Sequence, residues 1–221
     1  LQVINIKGIP FVERNFKINS TTGSGKTERL AAGTSIFYKN GMVYIGLAEA
    51  DNGSEFFAID VGAISGSPTS PIIRGSFEIG NGVNAIFVKD HYAYVASPNN
   101  SEELKVLDLS EVLDPLNTSP NISRVGWFNA PNGGGNFGNG KSIALVGDTL
   151  YLGRTLVGSK VLPVDEFFIL DNTNPETSHE PKLSSKDIQD NEYTPLPDDN
   201  TSVNGVIVRD NLAFLITHIK Y

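Results

Sequence analysis

Few residues in this chain have the types and spacing that chemistry needs, and each candidate meets a physical test. Thr22-Gly23-Ser24-Gly25-Lys26-Thr27 carries the glycine, lysine and threonine of a phosphate-cradling loop. Such a loop also needs a glycine at position 20, a strand before it and a helix after it. Position 20 is Ser, and both flanks read as antiparallel strands, so a polar loop is expected. His91, His179 and His218 stand in three unrelated contexts, His91 in a hairpin turn. Zinc asks for three or four converging ligands, and nucleophilic hydrolysis asks for an oriented base, so neither is expected. Two loops are rich in oxygen ligands: Glu49, Asp51, Asn52 and Glu55, then Asp198, Asp199 and Asn200. Neither has the alternating aspartates of a calcium loop, and Ca²⁺ is the single ion these residues keep in view. Trp127 and Phe128 could stack on a sugar or a partner, although packing between neighbouring sheets uses such pairs too. No catalytic residue, metal ligand or organic cofactor is assigned.

The elements that must position these residues are written as a repeat. Val83–Val95 recurs as Val203–Leu215, more loosely as Lys141–Leu152, and most loosely as Thr34–Ile45. Each copy is an apolar strand, a two-residue polar turn and a second apolar strand, which reads as a hairpin. A third strand follows three of them: Glu55–Asp60, Glu103–Asp108 and Glu166–Asp171 superpose without gaps. Each ends in an acid that can accept hydrogen bonds from the next turn's backbone. Weaker fourth strands are expected at Arg74–Ile79, Arg124–Phe128 and Lys182–Ile188. At the N-terminus, Leu1–Ile6 matches the third-strand pattern and Glu13–Ile18 the fourth. Ser97–Glu102, Arg154–Asp165, Asn129–Asn139 and Asp187–Ser202 are expected as connecting loops.

A four-stranded unit recurring every 50 to 60 residues or so predicts an all-β propeller built as a single domain over residues 1–221. The blades would cover about 34–80, 83–128 and 140–188, with 203–221 and 1–19 sharing a fourth. This closes a four-bladed ring; the alternative is an arc of a larger one. Aligning the copies puts Thr34, Asn84, Lys141 and Asn204 at one position, the start of strand one, nearest the expected axis. They would form a polar ring at one mouth of a central channel. The ring either satisfies backbone and water there or grips a small polar or anionic ligand with Lys141.

Tyr92–Ala96, Leu104–Ser110 and Leu1–Ile6 resemble the LVIVD repeat, in which an Ala-Tyr-Val-Ala strand precedes one of Leu-x-Val-Ile-Asp-Ile type. Gly41–Tyr44 and Leu150–Gly153 depart from that pattern. The resemblance implies a propeller of the secreted or cell-surface proteins of bacteria and archaea. It implies no catalytic residues.

Bulk properties narrow the class. The chain has 221 residues, 39% hydrophobic and 19% charged, which suits a folded domain rather than a disordered one. Its net charge of −8, with no basic cluster, argues against nucleic acid. No apolar run is long enough to span a membrane. Without cysteine, packing alone must hold the fold. A start at Leu1 with no signal sequence reads as a processed chain or a fragment. Asn-x-Ser/Thr triplets at Asn19, Asn52, Asn99, Asn117, Asn121 and Asn200 fall in expected loops and would suit a glycoprotein. The expected function is non-catalytic: an extracellular or cell-surface module for protein or glycan interaction, adhesion, or self-assembly into a structure such as a pilus or filament. The alternative is a propeller hydrolase or lyase acting on a small ester or sugar at the channel mouth.

Overall fold

The computed structural model describes residues 2–5, 11–15, 18, 21–22, 29–62, 71–99, 101–129, 137–157, 164–176 and 203–217. Every strand pair in it is antiparallel. β1 (Gln2–Asn5) pairs with β2 (Phe11–Asn15), and β3 (Thr21–Thr22) with β4 (Arg29–Leu30). The first large sheet runs β5 (Gly33–Lys39), β6 (Met42–Leu47), β7 (Phe56–Asp60), β8 (Ile72–Phe77). The second runs β9 (Ala85–Lys89), β10 (Tyr92–Ala96), β11 (Leu104–Asp108), β12 (Ser123–Phe128), with a one-turn helix α1 (Ser110–Leu113) between its last two strands. A third sheet follows, of β13 (Phe137–Val146), β14 (Thr149–Val157) and β15 (Val164–Asp171). The final hairpin is β16 (Val203–Arg209) and β17 (Leu212–Thr217).

The four expected hairpins are all present, each closed by two residues between paired strand ends: Lys39↔Met42, Lys89↔Tyr92, Val146↔Thr149 and Arg209↔Leu212. The first turn residue always has positive φ: Asn40 (49°), Asp90 (52°), Gly147 (59°) and Asp210 (55°). Only Gly, Asn and Asp take that conformation cheaply, which explains the residue types at this aligned position. The acid closing strand three does the expected work three times. Asp60, Asp108 and Asp171 each accept the backbone N–H two residues on, from Gly62 (2.8 Å), Ser110 (2.8 Å) and Thr173 (2.9 Å).

Successive residues of the middle strands serve two different cores. Met42 and Tyr44 face the second sheet, whereas Val43, Ile45 and Leu47 pack on the other side with Phe57, Ile59 and the half-buried Ile18 and Ala31. In β10, Ala93 and Val95 meet the first sheet, while Tyr94 and Ala96 meet the third. Both faces are therefore buried, and these strands read as unbroken apolar runs instead of alternating ones. A further core joins Phe167 of the third sheet to Val203 and Val206 of the final hairpin.

Several boundaries differ from expectation. β8 begins two residues before Arg74 and ends at Phe77, and β2 covers Phe11–Asn15 where Glu13–Ile18 was expected. Phe137–Asn139 and Arg154–Val157, expected in loops, pair with each other and lengthen the third sheet. Gly138 and Gly140 lie against Glu103, where any Cβ would collide, so glycines that signal a loop are needed here by close packing. The fourth strand expected at Lys182–Ile188 lies outside the described residues. Among the described residues no ladder joins β1 and β2 to β16 and β17; each pair forms a two-stranded sheet of its own. The strands that flank the Thr22–Thr27 motif, β3 and β4, pair antiparallel as expected, and Gly23–Thr27 lie outside the described residues.

Candidate functional site at one end of the sheets

Antiparallel pairing gathers the starts of strands one and three and the ends of strands two and four at one end of each sheet. Thr34 and Asn204 are the second residues of β5 and β16, Asn84 comes just before β9, and Lys141 is the fifth residue of the longer β13. Thr34, Lys141 and Asn204 are each the extra residue of a β-bulge, at Gly33/Ser35, Gly140/Ser142 and Val203/Gly205. The bulge explains why a polar residue recurs where the ladder is interrupted.

Thr34 and Asn84 bond to the next sheet. Thr34 Oγ1 donates to Val83 O, at the entry to the second sheet, and to Gly46 O (3.1 Å) within its own sheet. Asn84 Nδ2 donates to Gly140 O (2.6 Å) and to Asn139 Oδ1 (2.9 Å). At the third junction the donor moves one residue on, and Ser142 Oγ donates to Val203 O at 3.0 Å. The acceptor is always the residue before the next sheet's ring position. Backbone bonds reinforce the joint, with Val83 N–H on Leu47 O (2.8 Å) and Gly140 N–H on Ser97 O (3.0 Å). Lys141 is left with no hydrogen bond or ion pair among the described residues, and burial pushes its ammonium below the ordinary lysine range. Asn204 stands exposed.

The same end holds the acids. Glu55 is fully buried; its Oε1 accepts Ala50 N–H (3.1 Å) and its Oε2 accepts Ile79 N–H (2.8 Å) and Gly80 N–H (3.2 Å). Glu78 hydrogen-bonds the Glu55 carboxyl, and burial together with that like-charged neighbour pushes its own carboxyl up to about 7. The sequence pointed to Glu55 and missed Glu78, because nothing local marks the residue after strand four as a neighbour of the one before strand three. In the second sheet the position of Glu55 is taken by Glu103, fully buried, whose Oε1 lies 3.3 Å from Nη1 of the equally buried Arg154 in the third sheet. Glu102 contacts Lys105 (3.0 Å) and Arg124. Burial opposes its ionisation, yet these two cations hold its carboxyl below the ordinary range.

The remaining candidates are dispersed. Asp51 and Asn52 are exposed, and among the described residues no three His, Asp or Glu side chains are grouped to hold a metal ion. Asp198, Asp199, Asn200, Asn19, His179 and His218 lie outside the described residues. Asn52 and Asn121 are exposed sequon positions, whereas the Asn99 amide donates to Asn81 Oδ1 (2.7 Å) and the Asn117 amide to Glu111 Oε2 (3.3 Å). Phe128 belongs to the core between the second and third sheets, against Phe168 at 5.4 Å. Trp127 is half-buried, with the Arg124 guanidinium 4.9 Å from its ring centroid.

No protein-family model matches the chain, and no curated protein matches it. Among solved structures, the computationally designed Ika4 protein is similar with a TM-score of 0.51 at 11% identity, over 86% of this chain and 92% of that one. The computationally designed Ika8 protein gives 0.40 at 10% identity, over 86% and 69%. The Bacteroides ovatus xyloglucan PUL GH43B protein gives 0.36 at 16% identity, over 69% of this chain and 30% of that one. The first likeness concerns the fold alone. The other two fall too low to carry an argument.

Proposed function

We propose that the chain is a propeller-type module of the LVIVD kind that acts by binding rather than by catalysis. In this reading it works outside the cell or on its surface, in protein or glycan interaction or in assembly of a filament-like structure. Its sheets are blades wound about a common axis; β5 lying beside β9, β9 beside β13 and β13 beside β16 supports strand one as the innermost. The observation that carries the binding reading is where the polar groups go. Thr34, Asn84 and Ser142 are spent on carbonyls of the next sheet, Glu55 on three backbone N–H groups, and Glu103 on Arg154. What remains at the ring for a ligand is Lys141, a single half-buried cation suited to an anionic group.

A second reading rests on Glu55 and Glu78. Two acids in hydrogen-bond contact, with Glu78 pushed up to about 7, are groups of the kind a hydrolase or lyase uses for general acid–base work. The two readings separate in one paired assay on the purified chain. Glycan-array binding without turnover of chromogenic esters and glycosides supports the binding module. Turnover that disappears in Glu55→Gln or Glu78→Gln overturns it in favour of an enzyme.

A further inference from the structure

Trp127 is the single tryptophan of the chain, and it belongs to none of the apolar cores among the described residues. It lies on β12, the outermost strand of the second sheet, directly across from Lys105 on β11. Opposed residues of an antiparallel pair share a face. Leu104, Val106 and Phe128 pack towards the third sheet, so Lys105 and Trp127 stand on the other side. The repeat marks Lys105 as out of place. Its counterparts in the first and third sheets are Phe57 and Phe168, both buried. Opposite Phe57 the first sheet has the exposed Ser76 where the second has Trp127. Lys105 is 4% exposed, and a charge buried where a phenylalanine packs is costly unless it is paired.

What Lys105 does is hold Glu102. Its Nζ lies 3.0 Å from Glu102 Oε2, and Arg124 Nη1 donates to Glu102 Oε1. Asn99 Oδ1 accepts the Glu102 N–H (3.1 Å) and fixes the loop that carries it. Held below the ordinary range by these two cations, the Glu102 carboxyl is ionised at neutral pH. Each of its oxygens keeps a second lone pair, and Arg124 keeps donors beyond Nη1. Both side chains reach solvent, at 21% and 36% exposure, and the Arg124 guanidinium lies 4.9 Å from the Trp127 ring centroid. An aromatic surface thus stands beside a fixed acceptor and a fixed donor. A sugar ring matches that set, with C–H groups for the indole and hydroxyls that both donate and accept. A charged ligand of either sign would meet a like charge there, at Glu102 or at Arg124.

We propose that Trp127, Arg124 and Glu102 form a binding site for an uncharged pyranose sugar, with Lys105 as its positioning residue. The sugar ring stacks on the open part of the indole, while neighbouring hydroxyls donate to Glu102 and accept from Arg124. Lys105 Nζ is sealed from solvent, so it touches no ligand and acts by fixing the carboxylate. The site is on the outermost strand of its sheet, apart from Lys141 on β13.

The inference rests on the glycan-binding reading and deepens it, and its test tells the two apart. With a single tryptophan in the chain, indole emission reports on this site alone. Titration with neutral oligosaccharides of glucose, mannose, galactose and xylose should shift that emission saturably for at least one of them. Trp127→Ala and Glu102→Gln should each weaken the binding by about tenfold or more in calorimetry. Lys105→Phe, which restores the residue of the sister sheets, should keep the thermal midpoint and lose the affinity. A lysine with a structural role alone would do the reverse, and that result overturns its assignment. Lys141→Ala should bind as the wild type does. No emission change with any sugar overturns the proposal, and so does a response confined to uronate or sulfated sugars. Glycan binding that keeps full strength in Trp127→Ala overturns it too, while leaving the binding-module reading in place.

Discussion

Glu78, beside the buried Glu55, titrates against the usual carboxylate trend. An unfolded glutamate titrates near 4.5, and Glu78 in the fold near 7, raised first by burial and then by Glu55. Between those values the folded chain holds a proton that the unfolded chain has released, so this group makes stability fall as pH rises from about 4.5 to about 7. Glu78→Gln should flatten that part of the profile, read as thermal midpoints at pH 5, 6 and 7.5; an unchanged slope would remove the pair as its cause. Glu103 and Arg154 make the opposite case, a buried pair of opposite sign. Glu103→Ala strands a buried guanidinium and should cost about 3–5 kcal/mol in urea unfolding, whereas Glu103→Leu with Arg154→Met should recover most of that. A double variant as unstable as the single one would show that the pair's charge is not what matters there.

At the scale of elements, the joints between sheets combine a polar staple with a steric fit. Gly46 lies opposite Val83, and a Cβ on Gly46 would collide with Val83 Cγ1. Gly153 repeats this against Val203, whose Cγ1 would lie 2.7 Å from an added Cβ. At the middle joint the aligned residues are Ala96, in the position of Gly46, and Gly140, in that of Val83, where an added Cβ would collide with Glu103 O. Gly46→Ala should therefore destabilise by about 1–3 kcal/mol, and adding Val83→Ala should return part of the loss; additive effects in chemical denaturation would refute a direct clash. Arg74 ties another joint, its Nη2 donating to Asp114 O and Asn117 O at 2.8 Å each, just beyond α1.

The four hairpins and their turns were readable in the sequence because they are local. Asn40, Asp90, Gly147 and Asp210 announce positive φ, and Asp60, Asp108 and Asp171 announce the turn that follows. The ring position was readable as an alignment, and Thr34 and Asn84 do satisfy backbone carbonyls there, but the third member's bond was not readable. A bulge lets Ser142 take the bond that Lys141 would have made, and a one-residue exchange leaves no trace in a pattern of residue types. Phe137–Asn139 looked like a loop because its glycines answer to Glu103, distant in sequence. Glu78 and Arg74 were missed for the same reason: their partners are set by which ends meet.

Over the whole molecule, burial is uneven along the series of sheets. β7 and β10 are buried or nearly so along their length, while β16 and β17 carry one covered and one open face. Amide exchange at low concentration should be slowest in Phe56–Asp60 and Tyr92–Ala96 and fastest, among the repeated hairpins, in Leu212–Thr217. Equal protection across the four hairpins would mean that the last face is covered after all.

The change of residue size from joint to joint also acts while the chain is still choosing its neighbours. Units this alike invite docking in the wrong order, a familiar failure of repeated architectures. If the first sheet docked on the third, Gly46 would meet Gly140 and leave a hole. If the second docked on the final hairpin, the Ala96 methyl would press into Val203. The two glycine–valine joints, Gly46 with Val83 and Gly153 with Val203, each need their own partner to be filled, so small side chains at this position favour the native succession of units.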